Sequence, residues 1–352
     1  MMKKWLVLDG ISGVPLGAEL AQAFRHIGID TSYYNLLGMP KVPLYGVKSA
    51  ISKLVNRARD SSGDAFFYLP KGNLASIQAL IEQLKPEAIL VVGFIYKFIA
   101  PTALQALAQR HQVDLYLYDT DSCNLYTKRR EFIFFLEQEL PIYKKIFSCS
   151  KVTADFFSDT KKLDASFVPF GANFITAPSG TDADKQHEVL FVGSGDLRRI
   201  IILESIRDHL SIFGNRWKRN FPLMSPELIR RVDDHQVWGP NLHQLLTSSK
   251  IVLNITRGPY YAAGTGVNLR IFEALAAGCF LITDYCDEIA ELFNIGEEIE
   301  TFDGIEDLKR KVKFYLDYPE ERIRIAKQGH EAFQRKFTWN ACALKMSKLM
   351  GL

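Results

Sequence analysis

The residues best suited to chemistry in this 352-residue chain gather in a few short stretches. The densest is Gly264-Thr-Gly-Val-Asn-Leu-Arg-Ile-Phe-Glu-Ala-Leu-Ala-Ala-Gly278, which follows one apolar run and precedes another that ends at Asp284. A helix opening here puts Arg270 and Glu273, three apart, on one face near its start, while Ile271, Phe272, Leu275 and Ala276 supply the packing. Arg270 can meet a phosphate, and Glu273 can accept two ribose hydroxyls. Each such charge-assisted bond contributes roughly 1.5–3 kcal/mol, enough to select a nucleotide. The plainer reading of the same pair is a surface ion pair. A second stretch, Gly193-Ser194-Gly195 followed by Arg198-Arg199, ends the apolar run Glu188–Val192 and opens another helix. Glycines at a strand-to-helix turn let backbone N–H groups approach a phosphate, and a planar guanidinium suits a pyrophosphate. A tight turn needs glycine as well, so the glycines alone decide little.

Two carboxylates, Asp119 and Asp121, close the run Leu115-Tyr-Leu-Tyr-Asp119-Thr-Asp121. At the carboxyl end of a strand either is placed to act as a general base toward a hydroxyl, or simply to cap a turn. The first turn, Asp9 to Gly17, with Gly13 and with Glu19 just beyond, is a candidate for an acceptor or sugar and equally an ordinary connection. The basic stretches Thr127–Arg130 and Arg216–Arg219 suit an anionic acceptor, and solvated helix faces look the same. Seven histidines and five cysteines show no ligand spacing and no CxxC pair, so neither a metal site nor a disulfide framework is expected.

These stretches need a scaffold, and the chain alternates short β-branched and aromatic runs with amphipathic ones. Strands are predicted at Trp5–Asp9, Thr31–Asn35, Ala65–Leu69, Ala88–Gly93, Asp114–Asp119 and Lys145–Ser148. Helices are predicted between them at Leu16–Ile27, Leu74–Leu84, Thr102–Arg110 and Arg129–Leu140. A polar, turn-rich segment follows Phe170. The alternation then restarts with strands at Glu188–Gly193, Leu210–Phe213, Gln236–Trp238, Ile251–Ile255 and Phe280–Asp284. Helices at Ile305–Leu316, Glu320–Phe333 and Trp339–Leu349 close the chain. The pattern is that of doubly wound parallel sheets. We divide it into an N-terminal domain at 1–170, a linker at 171–187, a second domain at 188–335, and a terminal helix at 336–352 that packs back on the first domain.

The composition, 47% hydrophobic and 24% charged with 43 basic against 40 acidic residues, fits a soluble globular protein and permits but does not require a polyanionic partner. The longest apolar run, Ala88 to Pro101, contains Lys97 and falls short of the roughly 20 residues a membrane span needs. The start, Met1-Met2-Lys3-Lys4-Trp5, imitates a signal peptide, but its apolar run stops at Asp9, so it reads as a strand. A cytoplasmic location is the expectation.

The run N-L-R-I-F-E-A-L-A-A-G-C-F-L-I-T-D, Asn268 to Asp284, resembles the donor-binding signature of GT-B glycosyltransferases, in particular the CgeB-like spore-protein group. The likeness continues, in the family's order, through Val189–Ser194, Ser211–Asn215, Val237–Pro240 and Val252–Arg257, covering most of residues 188–340. A fainter likeness runs to phage DNA β-glucosyltransferase. The resemblance implies a GT-B fold, two Rossmann-like domains facing a central cleft, and a bacterial or phage source. It also implies transfer of a sugar, a hexosyl group from a UDP-sugar, to a hydroxyl of a saccharide, protein or modified nucleobase.

By the same resemblance Arg270 and Arg198 hold the diphosphate, Glu273 the ribose, and the backbone from Gly239 to Asn241 the base. The donor set it implies comprises Gly193, Ser194, Gly195, Arg198, Trp238, Gly239, Pro240, Asn241, Arg257, Asn268, Arg270 and Glu273. Retaining GT-B enzymes commonly carry a second Glu eight positions before the ribose-binding one. Here that position is Thr265, so retention is not implied. An inverting enzyme of this fold would use Asp119 or Asp121 as base. Asp-x-Asp is also the metal motif of GT-A enzymes, but the second wound domain favours GT-B, without a required metal or cofactor. Two other readings are a nucleic-acid-binding protein of this fold and an inactive donor-binding structural protein.

Overall fold

The computed structural model describes residues 4–11, 14–57, 66 and 68–351. The chain divides into two compact units, Met1–Val168 with Ala343–Leu352, and Pro169–Cys342. Among the described residues no helix is long and apolar enough to cross a membrane.

The first unit holds a six-stranded sheet: β1 Lys4–Asp9, β2 Asp30–Asn35, β3 Ala88–Val92, β4 Asp114–Asp119, β5 Lys145–Ser148 and β6 Ala165–Phe167. The order is β2-β1-β3-β4-β5-β6, with every pair parallel. Covered on both faces, β1, β3 and β4 are near-continuous runs of Leu, Val, Ile and Tyr, as buried parallel strands must be. Of the expected strand Ala65–Leu69, Ala65 and Phe67 lie outside the described residues, and Phe66, Tyr68 and Leu69 are irregular. The expected helix Arg129–Leu140 runs as an α-helix only to Phe134 and then widens into a π turn over Phe135–Glu139. That widening goes with the inward position of Glu139, which is fully buried and accepts from Ile95 N at 3.0 Å, Tyr96 N at 2.8 Å and Tyr143 Oη at 3.1 Å.

The second unit repeats the plan with β7 His187–Val192, β8 Leu210–Phe213, β9 Val232–Asp233, β10 Ser249–Asn254, β11 Leu281–Asp284 and β12 Glu300–Phe302. Its all-parallel order is β12-β11-β10-β7-β8-β9. Chain direction through the sheet reverses between β7 and β10, the switch point at which doubly wound sheets take ligands beyond the strands' carboxyl ends. The strand predicted at Gln236–Trp238 is absent. Those residues lead straight into a helix, Gly239–Thr247, whose Gly239 adopts φ +57° and whose Pro240 fixes the first turn, and the sixth strand instead forms at Val232–Asp233.

The helix Leu269–Ala276 is held from behind. His330, buried on the helix Pro319–Lys336, pairs through Nδ1 with the Leu275 carbonyl at 2.8 Å. Phe272 packs its ring against Phe337, Phe293 and Phe170. Its outward face is therefore set by a fixed core.

Candidate functional site

The turn Gly193-Ser194-Gly195 follows β7, and Asp196 caps the next helix, Leu197–Glu204, through Arg199 N at 3.1 Å. Packing favours glycine at both positions, more strongly at Gly195. A Cβ at Gly193 would come 3.1 Å from the Phe191 ring, and one at Gly195 2.8 Å from Asn220 Nδ2 and 3.0 Å from Trp217. Trp217, wholly buried, donates from Nε1 to the Gly193 carbonyl at 2.9 Å.

Three guanidinium groups surround this turn. Arg199 is a brace: Nε and Nη2 donate to the Ile255 carbonyl at 2.9 and 2.7 Å, and Nη1 to the Ser194 carbonyl at 2.9 Å. Burial lowers its pKa to about 10. Arg198, expected on a phosphate, instead gives Nη1 to the Thr256 carbonyl at 2.6 Å and to Asp284 Oδ2 at 2.7 Å, and stacks on Tyr261 at 3.8 Å. Its first commitment is thus to the buried Asp284, which also accepts from Thr256 N at 3.0 Å and Thr256 Oγ1 at 2.9 Å. Arg257 reaches over with Nη2 to Ser194 Oγ at 2.9 Å, tying the ends of β7 and β10 together.

In the third stretch, Asn268 caps the Leu269–Ala276 helix. Its Oδ1 accepts from Arg270 N at 3.1 Å, and its Nδ2 donates to the Gly266 carbonyl at 3.3 Å. Those two bonds give Asn268 a structural occupation that the family likeness did not imply. Arg270 and Glu273 face one another, Nη1 to Oε2 at 2.7 Å, with side chains only 11% and 20% exposed. This is not the solvated surface pair of the plainer reading. Nη1 and Oε2 meet as an ion pair without a hydrogen bond, and Arg270 Nε is buried without a hydrogen-bond partner. A buried guanidinium N–H left in that state favours an anionic acceptor.

Thr265 hands its hydroxyl to Glu288 Oε2 at 2.8 Å, and Gly266 N donates to the same oxygen at 3.2 Å. Sequence reasoning missed Glu288, which is buried at the start of the helix Asp287–Leu292 and holds the loop leading to Asn268. Its only linear signal is an acidic residue in a helix's first turn. Trp238, the largest exposed member of the expected donor set, leads directly into Gly239 and Pro240, with Asn241 exposed beside them.

In the N-terminal unit, Asp119 is 2% exposed. Its Oδ1 accepts from Ser122 N at 2.9 Å, and its Oδ2 from Ser122 Oγ at 2.6 Å and Ser148 Oγ at 3.1 Å. Burial raises its pKa even against these bonds. With both oxygens accepting from Ser122 and Ser148, Asp119 caps the turn. Asp121, half-buried, accepts from Asn124 Nδ2 and is coupled electrostatically to Lys97, which lies 4.1 Å above the Phe94 ring. Lys97 and Glu131 were not anticipated; Glu131 accepts from Tyr96 Oη at 2.5 Å and pairs with Lys128 at 3.2 Å. Glu19 sits in the first turn of the helix Leu16–His26. Gly13 lies outside the described residues.

Residues 198–347 match the glycosyl transferase-like family. The spore protein CgeB of Bacillus subtilis (strain 168) is 22% identical over 237 residues, covering 61% of this chain and 72% of CgeB. Anabaena Alr3699/HepE in complex with UDP-glucose superposes with a TM-score of 0.65 at 12% identity over 99% of each chain. TarM does so with a TM-score of 0.64 at 10% identity, over 100% of this chain and 99% of its own. Sucrose-phosphate synthase of Thermosynechococcus elongatus gives 0.65 at 12% identity, over 99% and 98%.

Proposed function

We propose that this chain, which has the GT-B fold, is a glycosyltransferase that binds a UDP-sugar in its C-terminal unit and transfers the sugar, a hexosyl group, to an acceptor hydroxyl. The observation that carries the reading is Arg270 at the start of the helix Leu269–Ala276, whose Nε is buried without a hydrogen-bond partner and whose Nη1 meets the Glu273 carboxylate at 2.7 Å. A diphosphate oxygen satisfies that Nε. Glu273 then turns its carboxylate to the two ribose hydroxyls, and the Trp238–Asn241 segment receives the base. Arg257, held on Ser194 Oγ, adds positive charge beside the glycine turn. Arg198 acts there as a support, its Nη1 being committed to Thr256 and Asp284.

In the reaction the bond from the anomeric carbon to the diphosphate breaks, its electron pair leaving with UDP, as the acceptor oxygen bonds to that carbon. Fixed guanidinium groups stabilise the departing charge without a required metal. Asp121 accepts the hydroxyl proton in an inverting reaction, being the less buried of the two carboxylates, whereas Asp119 is 2% exposed and hydrogen-bonded to Ser122. The acceptor is a saccharide, protein or nucleobase hydroxyl.

A thermal-shift screen of nucleotide sugars tests the reading, because a ligand bound only by the native state raises the melting temperature by mass action. A shift with UDP-sugars larger than with other nucleotide sugars is the expected result. No shift with any of them would overturn the proposal.

A further inference from the structure

The helix Tyr45–Arg57 wears its amphipathicity inside out. Val47, Ile51, Leu54 and Val55, spaced at four, three and one residues, form one stripe and are 50–72% exposed, and Leu44, just before the helix, is exposed as well. The opposite face, with Tyr45, Ser49 and Ser52, is the less exposed one. Scattered apolar residues on a surface need no explanation, but a contiguous stripe on a helix turned outward does.

Charge identifies what covers it. From Thr31 through Arg59 the sequence has no Asp or Glu and five basic residues: Lys41, Lys48, Lys53, Arg57 and Arg59. That local excess is larger than the +3 of the whole chain. Lys41, Lys48 and Lys53 are exposed. A second copy meeting this face about a two-fold axis would set the same basic cluster against itself. An anionic surface neutralises it.

We propose that the helix Tyr45–Arg57 docks the protein on an anionic lipid surface, lying in the interface plane. The apolar stripe enters the headgroup boundary while Lys48, which flanks the stripe, reaches its ammonium group to the lipid phosphates, and Lys41 and Lys53 add longer-range attraction. Every residue of the stripe lies in the compact unit that does not hold the proposed donor residues.

Sedimentation of the full chain with phosphatidylcholine vesicles, with and without phosphatidylglycerol, tests the proposal. Two variants accompany the wild type, Ile51→Glu/Leu54→Glu and Lys48→Glu/Lys53→Glu, all at exposed positions where folding is unaffected and checkable by circular dichroism. The wild type is expected to sediment with anionic vesicles and to be released by high salt. The apolar pair of changes should weaken binding on the order of a hundredfold. A charge at the surface contributes about fivefold, so reversing Lys48, which removes one positive charge and adds a negative one, together with the more distant Lys53, should weaken it about 25-fold. UDP-sugar thermal shifts should be the same in all three proteins. Equal binding by wild type and variants would overturn the proposal, as would no binding to any vesicle. So would a wild-type dimer in sedimentation velocity that Ile51→Glu/Leu54→Glu converts to monomer without any vesicle binding.

Discussion

Asp284 is the residue on which the support of the proposed donor site turns, and Asp284→Asn tests it. The carboxylate is 2% exposed, takes Arg198 Nη1 at 2.7 Å, and receives the Thr256 amide and hydroxyl at 3.0 and 2.9 Å. Asparagine keeps the shape but puts an NH2 group where one oxygen met a donor, leaving a cation or the Thr256 N–H unmatched. Removing one partner of a buried pair costs about 3–5 kcal/mol. Arg198 is 22% exposed, so water recovers part of that, and about 2–3 kcal/mol is the expected loss. Urea unfolding followed by tryptophan fluorescence reads it in the right place, since Trp217, Trp238 and Trp339 all belong to the C-terminal unit. A cycle with Arg198→Met should show coupling of at least about 1 kcal/mol, the double variant losing less than the two single changes together. A loss below about 0.5 kcal/mol, or strict additivity, would refute the view that this pair ties β11 to the helix Leu197–Glu204.

Four further outcomes follow from named contacts. Asp119→Asn should lower stability by about 2 kcal/mol, whereas Asp121→Asn should leave the melting temperature unchanged and reduce kcat about 100-fold or more; the reverse pattern would return the base to Asp119. Glu288→Gln, by loosening the Thr265–Gly266 loop, should raise KM for the donor more than it lowers kcat, and an effect on kcat alone would contradict that positioning. Burial raises the Glu139 pKa from 4.5 to about 7. The folded state therefore holds its proton longer than the unfolded chain, and stability present below pH 4.5 is lost as pH rises through 7, by up to about 3 kcal/mol. Denaturant titrations across that window should show the decline in the wild type and a flatter profile in Glu139→Gln; identical profiles would be contrary. Gly195→Ala should destabilise the C-terminal unit by about 1–3 kcal/mol through its clash with Asn220 and Trp217, and a neutral result would mean that the turn can shift.

Much of the scaffold was legible because buried parallel strands are written as apolar runs. Ala88–Val92 and Leu210–Phe213 are clear examples, and the helices Leu74–Leu84 and Trp339–Leu349 stand at their predicted bounds. The three-residue strands Ala165–Phe167 and Glu300–Phe302 carry no period to detect, and Gly239-Pro240 converted an expected strand end into a helix start. Within the site, the three-residue spacing of Arg270 and Glu273 correctly put them on one face. Local pattern could not disclose that Arg198 pairs with Asp284, 86 positions away, or that Glu288 holds Thr265, 23 positions away. Both depend on which strands lie side by side, which is tertiary information. The same limit hid the commitment of Asp119 to Ser148 across β4 and β5.

The most direct test of donor binding at Arg270 is calorimetric titration of UDP-glucose into wild type and Arg270→Ala. Loss of one charge-assisted grip on the diphosphate should weaken binding by about 1.5–3 kcal/mol, roughly 10- to 150-fold, with the fold intact. An Arg270→Ala protein that binds UDP-glucose as tightly as the wild type would contradict the account.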